Sequence, residues 1–237
     1  GTAKQIVVQR IKEAEKQSIS EEFQDKEGEL MVGTLSREDQ NNYFVDLGRC
    51  SGILPKDQII PGEKLEMGSS VKVYVSKLEI GPKGPFIMLS RSHYGFVKRL
   101  LEIEIPELSD GTIMLYSVAR DAGSRSKIAV YTEYTNVDPI GAVIGEKGRR
   151  IANVLKELSG EKIDVILYDK DPVKFIANAL SPAKDVKVSI KDETKKEALA
   201  LVNDKNLSLA IGKKGQNVKL ASRLTHYKIE VKPEEQI

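Results

Sequence analysis

Hydrophobic residues along this chain fall into two textures. From Gly28 to Arg91 they come in short alternating runs broken by glycine: GELMVGTL, NYFVDLG, SGILP, VKVYVSKL and PFIMLS. Alternation with a period of two marks half-buried strands. Five such runs in about sixty residues predict a small antiparallel barrel of the five-stranded oligonucleotide-binding kind. Ahead of them, KQIVVQRIKEAEKQ (residues 4–17) sets Ile6, Val7, Ile11 and Ala14 at helical spacing, which predicts a helix.

After Arg91 the pattern is mixed, and it occurs twice. YGFVKRLLEIEIPEL reads as a helix stopped by Pro106, GTIMLYSVARD and RSKIAVYTEY as strands, DPIGAVIG and GRRIANVLKELSG as helices, and KIDVILYD as a strand. The second pass has a helix in PVKFIANALSPA, strands in KDVKVSIKD and KEALALVN, helices in NLSLAIG and GQNVKLASRLT, and a strand in YKIEVKP. Both spell helix, strand, strand, helix, helix, strand. Gly145 aligns with Gly212 and Gly148 with Gly215 at a spacing of 67, and KIDV with KIEV at 66. This is an internal duplication.

The duplicated glycines carry the candidate chemistry. With 18 glycines in the chain, about one Gly-x-x-Gly is expected by chance, so the bare pattern says little. Gly81-Pro82-Lys83-Gly84 lies between two strand-like runs and reads as a turn. The other two each follow a short apolar helix and open a longer amphipathic one. Gly148 and Gly215 then stand at helix N-termini, where free N–H groups and the positive end of the helix dipole favour an anion. Lys147, Arg149 and Arg150 flank the first pair; Lys213, Lys214 and Lys219 flank the second. A helix-to-helix turn with a capping glycine explains one glycine per copy, but not two glycines, adjacent cations and the repeat of the whole unit. Neither a Walker A string nor Gly-x-Gly-x-x-Gly occurs, which removes the best-attested nucleotide-cofactor loops.

Composition narrows the field further. A chain of 237 residues with 40% hydrophobic and 30% charged residues is ordinary globular protein of one to three domains. No apolar run approaches the roughly 18 residues of a membrane span, and GTAKQIVVQR is not a signal peptide, so a cytoplasmic location is expected. Cys50 is the single cysteine and His93 and His226 the only histidines, which excludes an intrachain disulfide and a zinc cluster of Cys and His. No metal, cofactor or catalytic residue is expected. Net charge is only +2, but Glu13, Glu15, Glu21, Glu22, Asp25, Glu27 and Glu29 crowd one end. Leu207–Thr225 carries four basic residues and no acidic one, so the chain is polarised.

On these residues the tandem units resemble KH domains of the prokaryotic topology, with VIGEKGRRI and AIGKKGQNV as their Gly-x-x-Gly loops. The barrel, with YFVDLGRCSGILP, resembles an S1 domain. The order S1, KH, KH, with NVDPIGAVIGEKG, ANALSPAK and LSLAIGKKGQN, is similar to the bacterial NusA family of transcription factors. The resemblance implies a multidomain β and α/β chain: a helical remnant of a polymerase-binding domain (1–23), an S1 domain (24–92), KH domain 1 (93–170) and KH domain 2 (171–237).

It also implies a non-enzymatic, monomeric factor that binds single-stranded nascent RNA and modulates elongation, pausing, termination and antitermination. RNA polymerase, bound mainly through a preceding domain, and other elongation or antitermination factors are the implied partners. A KH loop clamps the backbone of about four nucleotides. The carry-over places that clamp on Gly145, Glu146, Lys147 and Gly148 and on Gly212, Lys213, Lys214 and Gly215. Ile144, Ile151, Ile211 and Val218 would shape apolar grooves or pack as ordinary core. Gln216 and Asn217 would read base edges if exposed, with Arg149, Arg150, Lys219 and Arg223 alongside. In the barrel Tyr43, Phe44 and Arg49 form a weaker RNA contact, since stacking aromatics are scarce there.

Glu146 stands where the second loop has Lys213, so the second loop should be the stronger grip. Two alternatives remain at this level. The RNA-binding part of a KH/S1 exoribonuclease has its modules in the opposite order, after a catalytic domain. A ribosome-associated KH protein is generally more basic than +2.

Overall fold

The computed structural model describes residues 10, 21 and 23–234. The helix expected at 4–17 lies outside the described residues, apart from Arg10. The chain divides into two compact units, residues 1–100 and 101–237, a boundary that falls inside helix α1 (Tyr94–Glu104).

The first unit is a closed five-stranded barrel. Its strands are β1 (Leu30–Glu38), β2 (Asn42–Asp46), β3 (Ser51–Pro55), β4 (Ser70–Gly81) and β5 (Gly84–Ser90), in the order β1-β2-β3-β5-β4. All pairs are antiparallel except β3 with β5. Register shifts at Leu35/Arg37 and Val75/Lys77 bend β1 and β4, which lets a short sheet close on itself. Leu35, Val45, Leu54, Val73, Val75 and Ile87 point inward and are buried with Phe23. Gly81 pairs with Gly84 at the end of the β4–β5 hairpin, so the third Gly-x-x-Gly is a strand connection.

In the second unit the first repeat comprises α2 (Pro106–Asp110), β6 (Met114–Asp121), β7 (Arg125–Tyr131), α3 (Pro139–Ile144), α4 (Arg149–Leu155) and β8 (Lys162–Leu167). The second comprises α5 (Pro172–Ala179), β9 (Lys187–Asp192), β10 (Glu197–Val202), α6 (Asp204–Ile211), α7 (Gln216–Thr225) and β11 (Lys228–Pro233). Each builds a three-stranded sheet in which the central strand, β7 or β10, is antiparallel to one neighbour and parallel to the other. Pro106 ends α1, as expected, and also starts a second short helix. Ile105 is forced to an extended backbone (φ −116°, ψ 99°) by the proline after it, and Pro106 then takes the first position of α2.

The repeats share one core. Ala119, Ala129 and Ile166 of the first pack with Phe175, Ile176, Leu180, Leu220 and Leu224 of the second. Residues Ser126–Val130 of β7 are therefore buried without alternation, because α7 of the second repeat packs on β6 and β7. Helix α7 presents Asn217, Leu220, Ala221, Leu224 and Thr225 at helical spacing on its buried face. Hydrogen bonds lock the same contact: Ser117 Oγ donates to the Leu224 carbonyl at 2.7 Å, and Lys127 Nζ to that of Ser181 at 2.7 Å.

Candidate nucleic-acid interface

The two Gly-x-x-Gly loops have nearly the same backbone. Gly145 has φ 80°, ψ 170° and Gly212 has φ 78°, ψ 172°; Lys147 and Lys214 are at 55°, 25° and 56°, 26°; Gly148 and Gly215 are at 72°, 18° and 75°, 13°. Three of the four residues in each loop thus sit at positive φ, including a lysine in the left-handed region at an intrinsic cost of roughly 1–2 kcal/mol.

The two glycines of a loop do different work. A Cβ on Gly145 would lie 2.7 Å from Arg150 Cγ and 3.0 Å from Arg150 N, and one on Gly212 would lie 2.7 Å from Asn217 N. The first glycine lets the loop fold back on its own following helix. A Cβ on Gly148 would meet nothing within 4 Å, and one on Gly215 only the end of Lys219 at 3.7 Å. The second glycine leaves open space where another backbone can approach.

The expectation of free amides at these helix starts needs correction. Gly148 N donates to the Gly145 carbonyl at 3.0 Å, Gly215 N to that of Gly212 at 3.1 Å, and Arg149 N to that of Glu146. The 3-10 turn that carries each loop consumes these donors. Exposed cations are what the loops present: Lys147 and Arg149 in the first, Lys213 and Lys214 in the second.

Several expected contact residues have other tasks. Arg150 is half-buried; its Nη1 donates to Glu107 Oε2 at 2.7 Å and to the Ala142 carbonyl at 3.0 Å, tying the first loop to α2. That bond, helped by a backbone hydrogen bond, lowers the Glu107 carboxyl from its ordinary value. Asn217 is only 4% exposed and cannot read a base edge. Its Nδ2 donates to the carbonyls of Leu180 and Ala210, at 3.1 and 3.0 Å, and its Oδ1 is buried without a hydrogen-bond partner. Gln216 Nε2 donates to Asp121 Oδ2 at 2.7 Å and Ser124 Oγ at 2.6 Å, bracing the second loop on the first repeat's hairpin. Lys219 is exposed with a long contact, 3.5 Å, to the Lys214 carbonyl, and Arg223 is exposed.

Ile144 is 36% exposed, while Ile151, Ile211 and Val218 are half-buried, Val218 against the shared core. None of these four lines the groove that the second unit does have, a cavity of about 690 Å³ of mixed character whose wall includes Ile140, Val165, Leu167, Ala177 and Val186 alongside Asn178, Ser181, Lys184 and Asp185. These residues come from both repeats and were missed in the sequence. The outward alternation of β8 could have pointed to Val165; the contribution of Ala177 and Val186 depends on how the repeats pack.

In the barrel, Tyr43 and Phe44 are half-buried, and each has a cation near its ring. Arg37 stacks 4.1 Å above the Phe44 centroid, and Lys56 Nζ lies 5.3 Å from that of Tyr43 while pairing with Glu38. Those faces are already used. Arg49 is exposed, on the β2–β3 connection. Among the described residues no group of three or more His, Cys, Asp or Glu could hold a metal ion, and no helix is long and apolar enough to cross a membrane.

Comparison with known proteins agrees with this geometry. Residues 91–168 match the family described as NusA-like first KH domain, and residues 172–237 the NusA-like second KH domain. The transcription termination/antitermination protein NusA of Halalkalibacterium halodurans is 48% identical over 233 residues, which is 98% of this chain and 61% of that protein. That of Bacillus subtilis is 48% identical over 233 residues, covering 98% and 62%. The Mycobacterium tuberculosis protein of the same name is 44% identical over 239 residues, covering 98% and 69%. The chain therefore spans about three fifths of the length of the first two. A solved structure, that of APE1850, overlaps 57% of this chain and 96% of its own at 23% identity, with a TM-score of 0.43.

Proposed function

The chain belongs to the NusA family, and from that premise we propose that it is a non-enzymatic segment that binds single-stranded nascent RNA. Through that contact it modulates pausing, termination and antitermination by RNA polymerase. Residues 24–92 act as an S1 module, 93–170 as a first KH module and 171–237 as a second, working in the cytoplasm.

The observation that carries the reading is the matched pair of loops, held in one rigid unit by a shared core. Each loop grips about four nucleotides of backbone. Lys147 and Arg149 supply the charge at the first, Lys213 and Lys214 at the second. Bases lie in the groove where Ile140, Val165, Leu167 and Val186 offer apolar surface and Asn178, Ser181, Lys184 and Asp185 offer polar groups. Two clamps at fixed spacing raise the effective concentration for the second contact, so one strand spans both loops. The Phe44 and Tyr43 rings, already stacked by cations, make the barrel a minor contact.

The test is fluorescence anisotropy on a single-stranded RNA of mixed sequence. Lys213→Asp combined with Lys214→Asp is expected to weaken binding by about tenfold or more and to lower the log-log salt slope by roughly 0.7 per lost phosphate contact. Its thermal midpoint stays near that of the parent, because both side chains are exposed. Unchanged affinity in the folded double variant would reject the second loop as a contact. In the reciprocal variant, Glu146→Lys, removal of the acidic side chain strengthens the first grip.

A further inference from the structure

The two repeats differ in charge at one corner, where the strand hairpin meets the end of the last helix. In the first repeat this corner closes on Glu161, which is 2% exposed. Its carboxylate accepts from Gly123 N at 2.8 Å, Ser126 Oγ at 2.8 Å and Arg120 Nη2 at 3.0 Å. Backbone bonds identify the same corner in the second repeat: Lys162 N donates to the Ser124 carbonyl at 3.0 Å, and Lys228 N to the Lys196 carbonyl at 2.8 Å. Arg125 pairs with Lys162, as Glu197 does with Lys228. Tyr227 therefore occupies the position of Glu161, and Ala198 that of Ser126.

The second corner thus lacks the carboxylate that closes the first. A cavity of about 580 Å³ opens there, walled by Lys195, Lys196, Arg223, His226, Tyr227 and Lys228. Glu197 is the one carboxylate in the wall. Among the described residues none of these four lysine and arginine side chains forms an ion pair.

Arg223 complements the negative end of α7, which is an ordinary structural role. That does not account for Lys195, Lys196 and Lys228, which stand on other elements. Lys196 (φ 54°) and His226 (φ 63°) also occupy left-handed positions where glycine is the default. Lysine ammonium groups bind phosphate as compact point charges, and Arg223 adds a guanidinium able to hold a phosphate by two hydrogen bonds.

We propose that this corner is a phosphate-binding site separate from both Gly-x-x-Gly loops, and that it holds the RNA backbone beyond the nucleotides gripped by the second loop. Gly215 caps one end of α7 and His226 the other, so ten residues, about 15 Å of helix, separate the two contacts. The phosphate chemistry stands on the corner itself; its assignment to RNA rests on the function proposed above.

Two arms test it, using the whole chain. In the first, inorganic phosphate is titrated into the ¹⁵N-labelled protein, and amide shifts at Lys195, Lys196, His226 and Tyr227 are expected. The same shifts should vanish in Lys195→Ala with Lys196→Gly, a pair that removes charge while glycine keeps the left-handed backbone. Absence of those shifts in the parent, or shifts with a glutamate-rich peptide and none with phosphate, overturns the site. In the second arm an 8-nucleotide and a 24-nucleotide RNA are compared. The double variant is expected to bind the longer strand roughly three- to tenfold more weakly, with a shallower salt slope, and the shorter one as before. Equal loss for both lengths, or none for either, overturns the RNA assignment. If the parent binds neither RNA, the proposed function fails while the phosphate arm still reports on the corner.

Discussion

Lys127 of the first repeat, with no exposed surface, donates from Nζ to the carbonyl of Ser181 in the second repeat at 2.7 Å, and to Asp164 Oδ2 at 3.0 Å. Burial pushes its ammonium below the usual lysine value, and the Asp164 carboxylate opposes that push. The buried ammonium thus links a strand of the first repeat to the segment after α5 in the second, and removing either partner would leave a buried polar group without its bond.

Lys127→Met keeps the volume but leaves the Ser181 carbonyl unpaired and Asp164 with Arg125 alone. The expected loss is about 1–3 kcal/mol in urea unfolding. RNA long enough to span both loops should lose more affinity than RNA that fills only one.

Gly145→Ala and Gly212→Ala should be far more damaging to stability than Gly148→Ala and Gly215→Ala. The first pair combines a backbone region reserved for glycine with a Cβ under 3 Å from the following helix, and should cost upwards of about 3 kcal/mol. The second pair meets open space and pays only left-handed strain, about 1–2 kcal/mol. Thermal melts give this order. If Gly148→Ala also weakens RNA binding at a temperature where it is folded, the added methyl blocks the approaching backbone.

Asn217→Asp sets a carboxylate against the carbonyls of Leu180 and Ala210, where two donor bonds stood. A stability loss of at least about 2 kcal/mol is expected in urea unfolding. RNA sequence preference, measured below the melting transition, should not change, because the side chain is buried. A changed preference would restore Asn217 to the interface.

The clip between Glu107 and Arg150 should show in the pH dependence of stability. The folded carboxyl is held below its ordinary value of 4.5, first by the Arg150 hydrogen bond. Its contribution is complete above the unfolded value and disappears as pH falls through the folded one. Glu107→Gln should therefore lower the melting temperature at neutral pH, with the difference from the parent narrowing in acid. A gap independent of pH would mean that the ion pair contributes nothing.

Much of the fold was legible in the chain. Strand and helix periods are local, so the five barrel runs, the duplicated order of elements and both loops could be read residue by residue. At Pro106 the reading was right but incomplete: the proline does end the helix, whose last residue is Glu104, and it also opens the short α2. The candidate interface was legible in part. Gly145, Gly148, Gly212 and Gly215 and the exposed Lys147, Arg149, Lys213 and Lys214 belong to sequence motifs, whereas Arg150, Gln216 and Asn217 carry the same motif signal and are taken up by other parts of the chain, Asn217 in the core and the other two at half-buried contacts.

The sequence alone determined that two similar units exist, where their loops lie and which cations flank them, because each of these is set by neighbours a few positions apart. The tertiary structure decided which of those cations remain free and how the units join. Arg150 meets Glu107 across 43 positions, Gln216 meets Asp121 across 95, and Ser117 meets Leu224 across 107. Partners that far apart follow from packing the two repeats on one core, which no local period records.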